Sequence, residues 1–175
     1  MKSSVLKPPV LLKTLLDVIF WFTLIGLIFR LLFTVFYFFT DIPVNLTIHH
    51  YQITEFNFAF AVGIFLKLLI STLFIYAVYI MRKVVRSFFK RKLFTPLQIS
   101  GLKLIGQLLI FTVLFEIILE FTLPIVFERE IKAGGAFDSS FNSVWFILAI
   151  GLFFLLLSKA FSYARSLQQE NDLTV

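Results

Sequence analysis

Two glutamates, Glu116 and Glu120, stand deep inside the apolar stretch TPLQISGLKLIGQLLIFTVLFEIILEFTLPIVF, residues 95–127. Two cations, Arg30 and Lys67, sit inside other runs of the same character. With each run taken as a helix rising about 1.5 Å per residue, Arg30 lies roughly two thirds of the way from the inner face, and Lys67, Glu116 and Glu120 fall near the same height. Two cations and two carboxylates thus share one layer, somewhat outward of the midplane. A Lys, Arg or Asp at the centre of a bilayer costs about 2.5 to 3.5 kcal/mol on insertion scales, so four unpaired groups would cost on the order of 10 kcal/mol. Pairing is the most accessible escape, and the expected pairs are Lys67 with Glu116 and Arg30 with Glu120. Such a layer can serve as a proton, ion or ligand site, because intramembrane ionisable groups mark pathways. It can equally be a charge-neutral clasp that fixes which helices pair.

Each charge has small or polar company at helical spacing. Thr23, Gly26, Arg30 and Thr34 make one stripe, Gly63, Lys67 and Ser71 a second, and Thr112, Glu116 and Glu120 a third. Small side chains allow helices to approach closely and polar ones find partners there, so the stripes are expected to face one another.

The elements that must hold this layer follow from composition. Of 175 residues 59% are hydrophobic, 25 are Phe, and mean hydropathy is +0.96. A soluble domain carries roughly 45 to 50% apolar residues, so the chain reads as an integral membrane protein. Four runs, about 14–39, 58–81, 102–127 and 143–164, approach or exceed the roughly 20 apolar residues that cross a bilayer as a helix. The runs are continuous rather than alternating, and backbone groups in lipid must be satisfied internally, so helices are expected. The fold class is all-α, a membrane four-helix bundle forming one four-span domain over residues 1–175. With no cysteine there are no disulfides and no thiolate chemistry.

Orientation follows from Lys and Arg near the span ends. Lys2, Lys7 and Lys13 precede the first span, Arg82, Lys83, Arg86, Lys90, Arg91, Lys92 and Lys103 surround the central loop, and Lys159 and Arg165 close the fourth span. The opposite side holds only Arg129 and Lys132. The positive-inside rule then places both termini and the central loop in the cytoplasm of a multi-pass protein of the inner (plasma) membrane.

The first external segment, TDIPVNLTIHHYQITEFN, interleaves polar and apolar residues and reads as an extended strand or short hairpin. Adjacent histidines in a strand point to opposite faces, so His49 and His50 are not expected to share a metal ion. After the second span, RKVVRSFFKRKLF sets Val84, Val85, Phe88, Phe89 and Leu93 against Arg82, Lys83, Arg86, Lys90 and Arg91. This is a basic amphipathic helix, either extending the span or lying on the inner leaflet, where anionic lipid or an acidic partner would suit it. Thr95, Pro96 and Gln98 then form a capping box with proline at the first helical position, and Phe94 and Ile99 are spaced for a hydrophobic staple. The third helix is therefore expected to start in the cytoplasmic interface. In the tail SLQQENDLTV, Glu170 and Asp172 share the compartment of the basic loop.

The segment FTPLQISGLKLIG, 94–106, and the tail QQENDLTV, together with four spans in this size range, resemble an uncharacterised bacterial membrane family, domain of unknown function 2975. The resemblance extends over nearly the whole chain. It implies a small four-helix inner-membrane protein associated with a small helix-turn-helix regulator, and it supplies no catalytic residues. Both histidines are external, and no serine–histidine or histidine–glutamate motif lies in the spans, so no enzyme activity, catalytic residue, metal or cofactor is expected. Nothing resembles a phosphate loop or a nucleic-acid module, and direct nucleic-acid binding is not expected. A non-enzymatic, partner-binding regulator is the leading function. The alternative is a proton, ion or small-solute transporter or channel component that uses the charged layer.

Overall fold

Long unbroken apolar runs with no interior proline before residue 124 leave the backbone one economical way to satisfy itself, and that is what forms. The computed structural model describes residues 10–39, 46–48, 51–53, 58–89, 94–127 and 144–173. They comprise helix α1 (Val10–Phe39), strands β1 (Leu46–Ile48) and β2 (Tyr51–Ile53), and helices α2 (Phe58–Phe88), α3 (Pro96–Phe127) and α4 (Val144–Leu173). All four helices are long and apolar enough to cross a membrane, and the architecture is that of a multi-pass membrane protein.

Contacts near both ends of each neighbouring pair establish that the helices run antiparallel. Asp17 and Arg30 of α1 meet Arg82 and Ser71 of α2, and Lys67 and Val84 of α2 meet Glu116 and Gly101 of α3. Ile99 and Gly106 of α3 meet Ser158 and Gly151 of α4. The start of α1, the end of α2, the start of α3 and the end of α4 therefore share one end of the bundle. The helices outrun the apolar runs at that same end: α1 begins at Val10, α2 continues to Phe88, α3 begins at Pro96 and α4 continues to Leu173. The tail residues of SLQQENDL are thus helical, since nothing in them breaks a helix.

The order of packing is α1 on α2, α2 on α3, and α3 on α4. Helix α3 is central: 44% of its apolar window is buried, against none of that of α1. The core joins Ala77, Ile80 and Val84 of α2 to Leu102, Ile105 and Leu109 of α3, with Ile150, Phe154 and Phe161 of α4 packed against it. Two glycines make the α3–α4 crossing possible. A Cβ on Gly106 would stand 2.7 Å from the Gly151 carbonyl oxygen, a backbone atom that cannot swing aside. Gly26, in contrast, faces open space, with nothing within 4 Å of where its Cβ would lie. The stripe expected on α1 is therefore not a close-packed seam; its glycine is turned away from the protein.

The extended segment of the first loop is an antiparallel pair, with Leu46 opposite Ile53 and Ile48 opposite Tyr51. His49 and His50 lie outside the described residues.

Candidate functional site: an intramembrane ion pair and a basic helical end

Lys67 and Glu116 face each other across the α2–α3 seam because both helices pass the same depth in opposite directions. Lys67 Nζ donates to Glu116 Oε1 at 2.9 Å, with the two side chains 31% and 21% exposed. Each charge is thereby offset where water is scarce. Arg30 departs from expectation. Its Nη1 donates to Ser71 Oγ at 2.9 Å, and that hydroxyl in turn donates to the Lys67 carbonyl. Arg30 thus touches the turn that carries Lys67, but it is not seated on Glu120, because α1 packs along α2 rather than α3. Glu120 lies on the exposed side of α3, one turn beyond Glu116, with no described ion pair. The four expected charges therefore form a linked set of three with one outlier. Thr112 and Thr34 return their hydroxyls to Leu108 and Arg30 carbonyls of their own helices, as intramembrane hydroxyls commonly do.

The basic end is organised by a residue that the charge-by-depth argument passed over. Asp17, near the start of α1, accepts on its Oδ1 from Arg82 Nε at 2.5 Å and from Arg86 Nη2 at 3.0 Å. The two arginines are one turn apart and so share a face of α2. Arg82 also stacks on Phe20, with Cζ 4.3 Å from the ring centroid, a cation–π contact that keeps it only 12% exposed. The signal is one of depth: Asp17 lies 7 residues after the start of α1 and Arg82 lies 6 before the end of α2, so the two meet at nearly one height.

The expected amphipathic helix is the end of α2 itself. Val84 is buried at 3% exposure against Gly101, and Phe88 meets Phe161 edge-on with centroids 6.1 Å apart. Its apolar face is thus occupied by α3 and α4, so this segment continues the span instead of lying on the leaflet. Arg82 and Arg86 turn to α1, while Lys83 is exposed. Lys90, Arg91 and Lys92 lie outside the described residues.

The corner into α3 has the capping geometry expected of Thr95, Pro96 and Gln98. Gln98 N–H donates to Thr95 Oγ1 at 3.3 Å, and Thr95 N–H donates to Gln98 Oε1 at 3.0 Å. Gln98 is fully buried and Pro96 opens the helix, so the start is reciprocal and dry. Phe94 adopts a φ of 56°, a left-handed conformation that costs a residue with a Cβ about 1 to 2 kcal/mol. Its ring packs edge-on to Phe161 at 5.1 Å, which offsets that strain and directs Phe94 to α4. Ser158 adds a bond from α4, donating to the Ile99 carbonyl at 2.8 Å.

No curated protein and no solved structure matches this chain. The family model described as protein of unknown function (DUF2975) matches residues 47–175, which take in β1 from its second residue, β2, α2, α3 and α4 and leave out α1, the helix with the least buried surface. The chain belongs to that family.

Proposed function

We propose that this chain is a non-enzymatic membrane protein that presents a stiff, basic helical end to an acidic cytoplasmic protein. One observation carries the reading: all four helices overrun their apolar segments at the same end. At about 1.5 Å per residue, the 31 residues of α2 reach about 46 Å, against a hydrocarbon core of about 30 Å. Roughly 16 Å of helix must therefore project beyond the core. Every described Lys and Arg except Arg30 and Lys67 lies toward that end. The positive-inside rule supports placing it in the cytoplasm and the chain in the inner (plasma) membrane. The Thr95–Gln98 cap and the ring contacts on Phe161 tie α2, α3 and α4 together there, so the surface is preorganised. A helix-turn-helix regulator is the partner that the family resemblance implies.

The test is capture from native membranes by the full chain and by a variant carrying Lys83→Gln, Lys90→Gln and Arg91→Gln, which keeps the Asp17 contacts. Loss of the captured protein with normal insertion supports the reading; equal capture removes it.

A second reading, a transport component, is favoured by the Lys67–Glu116 pair, which stands within otherwise apolar helices yet remains partly exposed. Proton or ion flux in proteoliposomes that is unaltered by Glu116→Gln counts against it.

A further inference from the structure

At the basic end a groove of about 550 Å³ opens between the first two turns of α3 and the last turns of α4. Its polar lining is Ser100 and Lys103 from α3 and Ser162, Arg165, Ser166 and Gln169 from α4, and no carboxylate lines it. Lys103 and Arg165 make no ion pair with any described residue, unlike Arg82 and Arg86, which share Asp17. Two cations thus face one cavity with no acid to neutralise them. The helix geometry explains why they converge. Side chains lean toward the N-terminus of their own helix, so Lys103 leans toward the basic end and Arg165 back toward the membrane. The hydroxyls have unequal reserves. Ser166 donates to the Tyr163 carbonyl at 2.8 Å and Ser100 to the Leu97 carbonyl at a long 3.4 Å, while Ser162 has no described partner.

A pocket of two cations, hydroxyls and an amide, without acids, matches a group that carries negative charge and only accepting oxygens. We propose that this groove binds a phosphate group, with Lys103 and Arg165 as its charge-bearing contacts and Ser162 as a neutral donor. This site is separate from the α2 surface of the proposed function. Its volume suits a small headgroup or metabolite. Depth favours a phospholipid. Lys103 is the last charge before the uncharged stretch 104–115 of α3, and Arg165 lies just past the apolar run of α4. Both therefore sit where headgroups lie. Tyr163, beside Ser162 and 67% exposed, is a residue type enriched at that level.

The test uses the full chain in phosphatidylcholine nanodiscs doped with phosphatidylglycerol, with lipid retention counted by native mass spectrometry. The wild type is expected to retain phosphatidylglycerol. The Lys103→Gln, Arg165→Gln double variant should retain it about tenfold less well, since each basic residue near an anionic surface contributes several-fold. Lys159→Gln, which removes an exposed charge on α4 outside the groove, should behave like wild type. A single Ser162→Leu variant, which fills the groove and leaves both cations, should also reduce retention. In a second arm, inorganic phosphate and glycerol 3-phosphate are titrated onto the chain in zwitterionic detergent. Displacement of phosphatidylglycerol by either at low concentration would reassign the groove to a soluble phosphate. Equal retention by wild type and the double variant, or the same loss with Lys159→Gln, overturns the proposal, because the attraction is then diffuse surface charge.

Discussion

Breaking the Lys67–Glu116 pair should be far more damaging than removing it. The two atoms are 2.9 Å apart, on facing helices, with both side chains less than one third exposed. Glu116→Leu leaves an ammonium group in apolar surroundings, and Lys67→Leu leaves a carboxylate there. Each single change is expected to cost about 2.5 to 3.5 kcal/mol, the insertion penalty of a central charge. The double change removes both charges and substitutes apolar volume, an exchange that in buried ion pairs is often neutral or better. The double variant should therefore be more stable than the sum of the singles predicts, with a coupling energy on the order of 2 kcal/mol or more. Reversible unfolding in mixed micelles, titrated with a denaturing detergent and followed by tryptophan fluorescence, measures all four proteins. Additivity within about 0.5 kcal/mol, the scatter of independent sites, would refute the argument that the pair is what makes these charges tolerable.

Four further outcomes follow from particular residues. Gly106→Ala should destabilise by about 1 to 3 kcal/mol, because the new methyl meets the Gly151 carbonyl at 2.7 Å and the helices must part. Gly26→Ala should be neutral or up to about 1 kcal/mol stabilising in the same unfolding assay, since its site is open and alanine is the better helix former. Thr95→Ala removes one half of the capping box and should cost about 1 kcal/mol, with faster amide exchange confined to the first turn of α3. Asp17→Asn withdraws the charge that Arg82 and Arg86 share, so trypsin added from the basic end should cleave after Arg86 faster than in wild type.

Much of this architecture was legible because it depends on one dimension. Continuous apolar runs fixed four helices, the T-P-L-Q order fixed where α3 begins, and counting residues placed Lys67 and Glu116 at one height. What depth does not encode is azimuth. Arg30 is level with Glu120, yet which helix it meets depends on α1 lying along α2, and its contact is Ser71. Gly26 looks like an interface glycine by spacing, although its face is turned outward. The same limitation hid the groove. In the sequence Lys103 and Arg165 are topology signals alone, since their convergence depends on how α3 crosses α4 at Gly106 and Gly151. Asp17 was overlooked for a different reason: a lone acid near the start of a span reads as part of its flank until its arginines are opposite it. The helix α4 continues through the polar tail to Leu173, past the end of its apolar run at 164, because a polar sequence without glycine or proline continues a helix readily.

Whether the projecting basic end of α2 is a partner surface is decided by placing a photoreactive amino acid at position 83 of the full chain in native membranes. A discrete adduct with an acidic protein is predicted, lost when Lys90 and Arg91 are also replaced by Gln, and absent when the probe replaces lipid-facing Phe29. Adducts with lipid alone, or a protein adduct indifferent to those charges, would contradict it.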